Sequence, residues 1–511
     1  MELSKLVKRF APENQCKIQP RPYINHSVEF KRIFTAEERA RALDEAGLNV
    51  FYFPSEMITG CDLLSDSGTT AMTNEQWAAL HLGDEAYGSN RGYFKLRDVI
   101  AEVFGEEFFS RKPGIAHNAF LFHQGRSCED ALFSQIARTG KNLIIPSNGH
   151  FDTTHANLEA NRIQALDLFS LELRDPSSRS RFKGNMDIAR IKELLAKKSE
   201  RIPVVYLTIT NNTGGGQPVS MENIREVAEI SRRYRIPLMF DACRFAENAW
   251  FIQRFEEGYA TKSISDITRE MFQYADGFTI SFKKDGIVNM GGGLFFREGG
   301  AFLKKYPEIP DRITDHQIIK EGHPTYGGLS GRDIMVLAVG LSIALKEEYL
   351  TYRIEQIERF GRAMLERGLP ILTPTGGHAV YLDVNRFFAQ TGIRAEDYGG
   401  ISLTALLLAG YGHRGCELGH LAFGSYDASS GKDTIPEVNF VRFAVPRLRY
   451  EDVDLASVAE ALKLLYDDRD QIPGVEIVYG KELPLRHFKA RFKFKDEPLR
   501  RKAHPTPKRH P

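Results

Sequence analysis

Long apolar runs are missing from this chain. The longest, Ile334 to Leu345, is interrupted by Gly340 and Ser342. It falls far short of the ~20 residues a bilayer span needs. The opening MELSKLVKRFAPENQ has no apolar core before a small-residue cleavage site, so no signal peptide is read there. Cysteine is scarce. Cys16, Cys61, Cys128, Cys243 and Cys416 are scattered, and no two have metal-site or thioredoxin spacing. This argues against a disulfide framework or a zinc site and fits a reducing, cytoplasmic location. Net charge is nearly absent too. Lys+Arg is 68 against Asp+Glu 67, a formal +1. Such a balance argues against a protein whose main task is gripping nucleic acid or an anionic membrane. Walker A, H-E-x-x-H and G-x-S-x-G patterns are absent, and no internal repeat is found.

What remains is an ordinary globular mixture, 42% hydrophobic and 26% charged, in a chain of 511 residues. That length suits two or three domains. The charge is unevenly spread. From Lys481 to the end, positive charges exceed negative by eight, leaving −7 for the rest. The final KDEPLRRKAHPTPKRHP is basic and proline-rich and reads as an unstructured tail. The middle of the chain alternates strands and helices. NLIIP (142–146), VVYLTIT (204–210), IPLMF (236–240) and 277–281 read as buried strands. Between the second and third, Ile224, Val227 and Ile230 recur at helical spacing behind the capping candidates Ser220 and Asn223. This is a βαβ unit and predicts a mostly parallel sheet. One long helix is predicted over 334–367, with a domain boundary near 330–340.

In open α/β sheets, ligands bind at the carboxyl ends of the strands. Three such ends carry chemistry here. VVYLTIT runs into Asn211, Asn212 and a glycine-rich turn. IPLMF runs into Asp241, Cys243 and Arg244. The 277–281 strand runs into Lys283 and Lys284. An acid, an amide and a lysine pair suit a cofactor with a basic ring nitrogen and an aldehyde, since the acid keeps the ring protonated and the lysine forms an imine. FHQGR (122–126) leads into a helix whose N-terminus, with Arg126, would cradle a phosphate. Ser281 adds a hydroxyl. Pyridoxal 5′-phosphate satisfies all of these together. Each feature alone is more often structural, and it is their order along the chain that counts. GYGHRG (410–415) matches G-x-G-x-x-G, but the preceding LTALLLAG reads as helix, so a dinucleotide site is not expected.

The chain resembles the β-eliminating lyases, the tryptophanases and tyrosine phenol-lyases. The matching stretches are LLSDSGTTAM (63–72), GDEAYG (83–88), HQGR (123–126), FDTT (151–154), GGQPVSMEN (215–223), FDACRFAENAWFI (240–252), SFKKDGIVNMGG (281–292), PTYGGLSGRD (324–333), VRFAVPR (441–447) and LRHFKARF (485–492). Phe282 stands where that family usually has a small residue. A longer segment lies around 108–120. The resemblance implies an α/β, fold-type I pyridoxal-phosphate enzyme of the aspartate aminotransferase kind. It implies an N-terminal arm (1–30), a small domain (31–65 and 335–492), a large cofactor domain (66–334) and the tail (493–511). It also implies a homotetramer, a dimer of dimers with shared active sites. Lys284 matches the imine lysine, with Lys283 its electrostatic neighbour. Asp241 would pair with the ring nitrogen, and Asn212 and Arg244 with the ring oxygen. Gln124, Gly125, Arg126 and Ser281 would hold the phosphate, and Phe151 would stack on the ring. Arg442, assisted by Ser67 and Asn212, would grip the substrate carboxylate. Tyr87 would reach in from the partner as a proton-transfer group. A monovalent cation, K+, would take Glu85 from one subunit and the Gly68 and Asn289 carbonyls from the other.

Three positions bear on the leaving ring. Within the resemblance, Asp152, His487 and Leu418 are the tryptophanase choices. The implied reaction is conversion of tryptophan to indole, pyruvate and ammonium through a quinonoid and an aminoacrylate. Lys284 takes the α-proton, and Asp152 orients the indole N–H. The text around Asn289 is nearer the phenol-lyases, so tyrosine stays open as a substrate. A nonenzymatic relative binding RNA through its basic tail also stays open.

Overall fold

The computed structural model describes residues 21–24, 28–110, 117–175, 178–427, 429–436 and 438–495. The first twenty residues of the expected arm, nearly all of the basic tail and part of the 108–120 segment lie outside the described residues. Helix α1 spans Arg91–Phe104, and β1 (Ala119–Phe122) leads into α2 (Gly125–Ile136). β2 (Ile144–Ser147), α3 (Asp152–Ala160), β3 (Gln164–Asp167), β4 (Val205–Thr208), α4 (Met221–Arg233), β5 (Leu238–Asp241), α5 (Phe245–Phe255), α6 (Ile264–Gln273), β6 (Gly277–Ser281) and β7 (Gly292–Phe296) follow. The strands form one sheet in the order β1-β7-β6-β5-β4-β2-β3. β2, β3, β4, β5 and β6 pair in parallel, and β7 runs antiparallel to both β6 and β1.

The central strands are buried at every position, as continuous apolar runs covered on both faces should be. α4 forms where its spacing predicts. Ile224, Val227 and Ile230 face inward, the Ser220 side chain accepts from the Asn223 N–H, and Arg232 and Arg233 sit at the negative end of the helix.

The expected helix over 334–367 is two helices, α7 (Gly331–Ala344) and α8 (Glu347–Glu366). The break has a physical reason. α7 is apolar on nearly all sides and packs against α1, while α8 is amphipathic and packs beneath a second sheet. One straight rod cannot serve both cores. The second sheet joins β8 (Ala379–Asp383), β9 (Cys416–Leu418) and β10 (Phe440–Ala444), antiparallel, with β10 central. α9 (Gly399–Tyr411) lies before β9, and α10 (Asp452–Asp467) packs against α8. The GYGHRG stretch closes α9. Gly412 takes φ +73 as its left-handed cap, so these glycines end a helix. The two sheets have separate apolar clusters, and Cys61 and Leu63 pack with the second. No helix among the described residues is long and apolar enough to cross a membrane.

Phe282 follows directly on Ser281, yet it is fully buried in the main core, with its ring 6.4 Å from Phe295. It points away from the cavity that Ser281 faces. Phe282→Leu, a nearly volume-conserving change, should cost no more than about 1.5 kcal/mol of stability. It should leave the affinity for pyridoxal 5′-phosphate unchanged. A tenfold loss of that affinity in a titration would contradict this placement.

Candidate active site

The carboxyl ends of β1, β4, β5 and β6 open on one edge of the main sheet. Residues just beyond them line a cavity of about 260 Å³. Gln124, Gly125 and Arg126 come from the start of α2, and Phe151 and Asp152 from the start of α3. Asn212 follows β4, Asp241 ends β5 with Arg244 beyond it, and Ser281 ends β6 with Lys283 and Lys284 beyond it. The second sheet closes the opposite side with Leu418 and Arg442. Ser67 and His487 complete the wall. Residues more than 400 positions apart thus share one chamber.

One end of the chamber is built for an anion. α2 begins at Gln124 with no side chain capping it, so first-turn N–H groups remain for a ligand. A Cβ added at Gly125 would lie 2.6 Å from the Ser281 Cβ, so only glycine lets the two approach this closely. Burial, then the charges of Lys284 and Arg126, hold the Lys283 amine below the ordinary lysine range. Among the described residues, none of Arg126, Lys283 and Lys284 has a carboxylate within ion-pair distance. With Arg126 exposed at the mouth and Lys283 and Lys284 half-buried behind it, these cations make a cradle for phosphate.

The Lys284 loop is fixed on several sides. The Gly68 N–H donates to the Lys283 carbonyl at 2.9 Å. Asp285 accepts from the Ala246 and Glu247 N–H groups at 2.8 and 3.1 Å, capping the start of α5. Beside it, buried Asp241 accepts from the Cys243 N–H at 3.3 Å. The Cys243 thiol accepts from the Ser281 N–H, and burial together with Asp241 pushes it up, so it stays neutral.

The amino-acid end is equally defined. The Tyr381 hydroxyl donates to the Asn212 side-chain oxygen at 2.9 Å, and Arg442 approaches the same oxygen at 3.4 Å. The Asn212 amide nitrogen is left to donate elsewhere. Arg442 also donates to the Leu64 carbonyl at 3.0 Å, while its Nε is buried without a partner. An orphaned guanidinium edge suits a carboxylate.

Asp152 and His487, 335 positions apart, meet at 3.2 Å. The Thr153 N–H also donates to Asp152, at 2.6 Å. Burial alone would raise the Asp152 carboxyl. The His487 hydrogen bond and charge, with Arg442, outweigh it and hold the group below the usual carboxylate range. Its acceptor character therefore persists from neutral pH down past the ordinary carboxylate pKa. Leu418 offers only an apolar surface.

Four expected residues lie outside the cavity of their own chain. Tyr87 is 75% exposed and stacks edge-on against Tyr326 with centroids 5.3 Å apart. Glu85 pairs with Arg332 at 3.2 Å on the surface. Gly68 and Asn289 are adjacent, the Asn289 amide donating to the Gly68 carbonyl at 2.9 Å.

Beside Arg244, four residues with no role in the sequence reading form a buried charge cluster. Asp66 receives Arg244 through two nitrogens, at 2.7 and 3.2 Å, and Arg447 at 3.0 Å. Arg447 also reaches Glu247 at 2.7 Å and Asp285 at 2.8 Å. Two nitrogens of the Arg244 guanidinium, expected on a ring oxygen, are held by Asp66, and Arg244 also lines the cavity. All these side chains are almost wholly buried. Each belongs to one of the motif stretches quoted above.

The family model described as Beta-eliminating lyase matches residues 62–461. The chain is 41% identical over 472 residues to the tryptophanase of Hyphomonas neptunium, covering 92% of this chain and 98% of that one. It is 38% identical over 472 residues to the tyrosine phenol-lyase of Symbiobacterium sp., with the same coverage. Among solved structures, it resembles an aspartate aminotransferase from Thermotoga maritima at TM-score 0.54 and 12% identity, over 84% of this chain and 96% of that one. It also resembles the threonine aldolase of Leishmania major at TM-score 0.52 and 13% identity, over 80% and 99%.

Removing one partner of a buried ion pair strands the other, at a cost of about 3–5 kcal/mol. Asp66→Ala should therefore lower the unfolding temperature of the full chain clearly. A change equivalent to under about 1 kcal/mol, the scale of an exposed pair, would show that the cluster is solvated.

Proposed function

The chain belongs to the beta-eliminating lyase family and has the fold-type I architecture of pyridoxal-phosphate enzymes, and on that premise we propose that it cleaves L-tryptophan to indole, pyruvate and ammonium. The observation that carries the choice of substrate is the ionised Asp152 paired with His487 in the cavity wall. Indole offers an N–H donor and needs an acceptor. Leu418, on the same wall, gives a phenol oxygen nothing to bond.

The cavity fits pyridoxal 5′-phosphate from end to end. Gln124, Gly125, Arg126 and Ser281 would hold the phosphate, Phe151 would lie on the ring, and Asp241 would keep the ring nitrogen protonated. Bound there, the cofactor supplies the electron sink that makes the substrate's α-proton acidic. Arg442, with Ser67 and the Asn212 amide, holds the α-carboxylate and fixes the Cα–H bond toward Lys284. The Lys284 amine takes that proton. Asp152 holds the indole N–H, and Tyr87 of a second copy delivers a proton to the ring carbon that leaves. This requires at least a dimer, and a homotetramer is the assembly proposed. Gly68 and Asn289, already adjacent, would share a monovalent cation such as K+ with Glu85 of the partner copy. Tyrosine is the second reading, supported by the phenol-lyase relative.

Lys284→Ala should abolish borohydride-fixable attachment of the cofactor and turnover together. Full turnover in that variant would contradict the assignment. Asp152→Ala should depress tryptophan turnover by about 100-fold or more, the scale of losing one positioned charge-assisted bond. S-alkyl cysteines carry their own leaving group and should lose far less. Equal losses on both substrates would remove the role given to Asp152.

A further inference from the structure

Glu129 lies on α2, one turn beyond the phosphate cradle, and lines the same cavity as Asp241 and Lys284. It is 6% exposed. One carboxyl oxygen bonds the Thr154 hydroxyl, and the other accepts from the Asn157 amide at 3.4 Å. The same amide reaches the Arg126 carbonyl. Glu129 and Asn157 therefore bind α2, which presents the phosphate-cradling N–H groups, to α3, which presents Phe151 and Asp152.

The surroundings of this carboxyl are unusual for an acid. Among the described residues no Lys or Arg hydrogen-bonds it. Asp241 faces it from β5, and Tyr206 from β4, its hydroxyl bonded to Thr279 on β6. Cys128 lies on its own helix and Lys284 beyond β6. Two buried carboxyls lining one cavity do not both ionise readily. The Thr154 and Asn157 bonds and the Lys284 charge favour the charged form of Glu129, but burial and the neighbouring Asp241 outweigh them.

We propose that Glu129 is a positioning residue that works as the neutral acid, tying the phosphate helix to the Phe151–Asp152 helix. Burial and then Asp241 push its carboxyl up to about 8. The proposal rests on the cavity being the cofactor's site only for its effect on cofactor binding. The protonation itself is a property of the chain.

The sign of the pH effect follows from the raised pKa. The unfolded chain releases this proton near the ordinary glutamate value, about 4.3. The folded chain keeps it until about 8. Relative to E129Q, the wild type is therefore most stable below the unfolded pKa, loses that advantage as pH rises toward 8, and levels off above it. Thermal unfolding of full-length wild type and E129Q between pH 4 and pH 9 reads this directly. Infrared difference spectra of the same pair at pH 6.5 should show a protonated-carboxyl stretch in the wild type that disappears above pH 8. The neutral isostere E129Q should bind pyridoxal 5′-phosphate within about threefold of wild type. E129L, which cannot bond Thr154, should bind at least tenfold more weakly. A missing protonated-carboxyl band, or E129Q binding as weakly as E129L, would overturn the proposal. If the band is present and pyridoxal phosphate binds none of the three proteins, the neutral acid stands and the reading of the cavity falls.

Discussion

Arg447 is the interaction on which the rest of the structure depends. It joins Asp66, Glu247 and Asp285 at once, and Asp66 in turn holds Arg244. These residues come from the loop before the main sheet, the start of α5, the lysine loop and the segment after β10. Burying this much charge is costly unless every member is paired. The pairing therefore admits essentially one relative placement of the two sheets, the one that brings Arg442 and Leu418 over Lys284. Burial would raise the Asp66 carboxyl, but the Arg244 and Arg447 guanidiniums hold it well below its ordinary value, so the anchor stays charged at any physiological pH.

With the frame fixed, the cavity sorts charge along its length. Arg126, Lys283 and Lys284 gather where α2 begins, with Asp241 and Glu129 lining the same cavity. At the far wall, Asp152 is kept ionised by His487. Under the proposed function, leaving-ring recognition would sit on α3 and on the segment carrying His487, apart from the lysine loop.

Much of the fold was legible in the sequence for a simple reason. Parallel strands buried on both faces read as unbroken apolar runs, and the polar residue ending each run marks the edge where ligands bind. β4, β5 and β6, with Asn212, Asp241 and Lys284, follow that logic. The helix break at Leu345–Lys346 was not legible, because an apolar pattern and an amphipathic one abut without proline or glycine between them. Nor was the Arg447 cluster. Charged residues read as surface when taken one at a time, and the partners of Asp66 lie 178 and 381 positions away. Glu129 was hidden for the same reason, its distinguishing neighbour being Asp241 on another element. The helix ending at Tyr411 shows the opposite case, where a motif-like glycine pattern was set aside because its context was wrong.

The central claim is that this cavity selects tryptophan, and product analysis tests it most directly. Purified full-length protein is supplied with pyridoxal 5′-phosphate and potassium, then given tryptophan or tyrosine separately, and pyruvate is quantified together with indole or phenol. The account predicts indole and pyruvate in equal amounts from tryptophan, with little phenol from tyrosine. Phenol from tyrosine without indole from tryptophan would contradict it, and would mean that Asp152, His487 and Leu418 do not set the specificity.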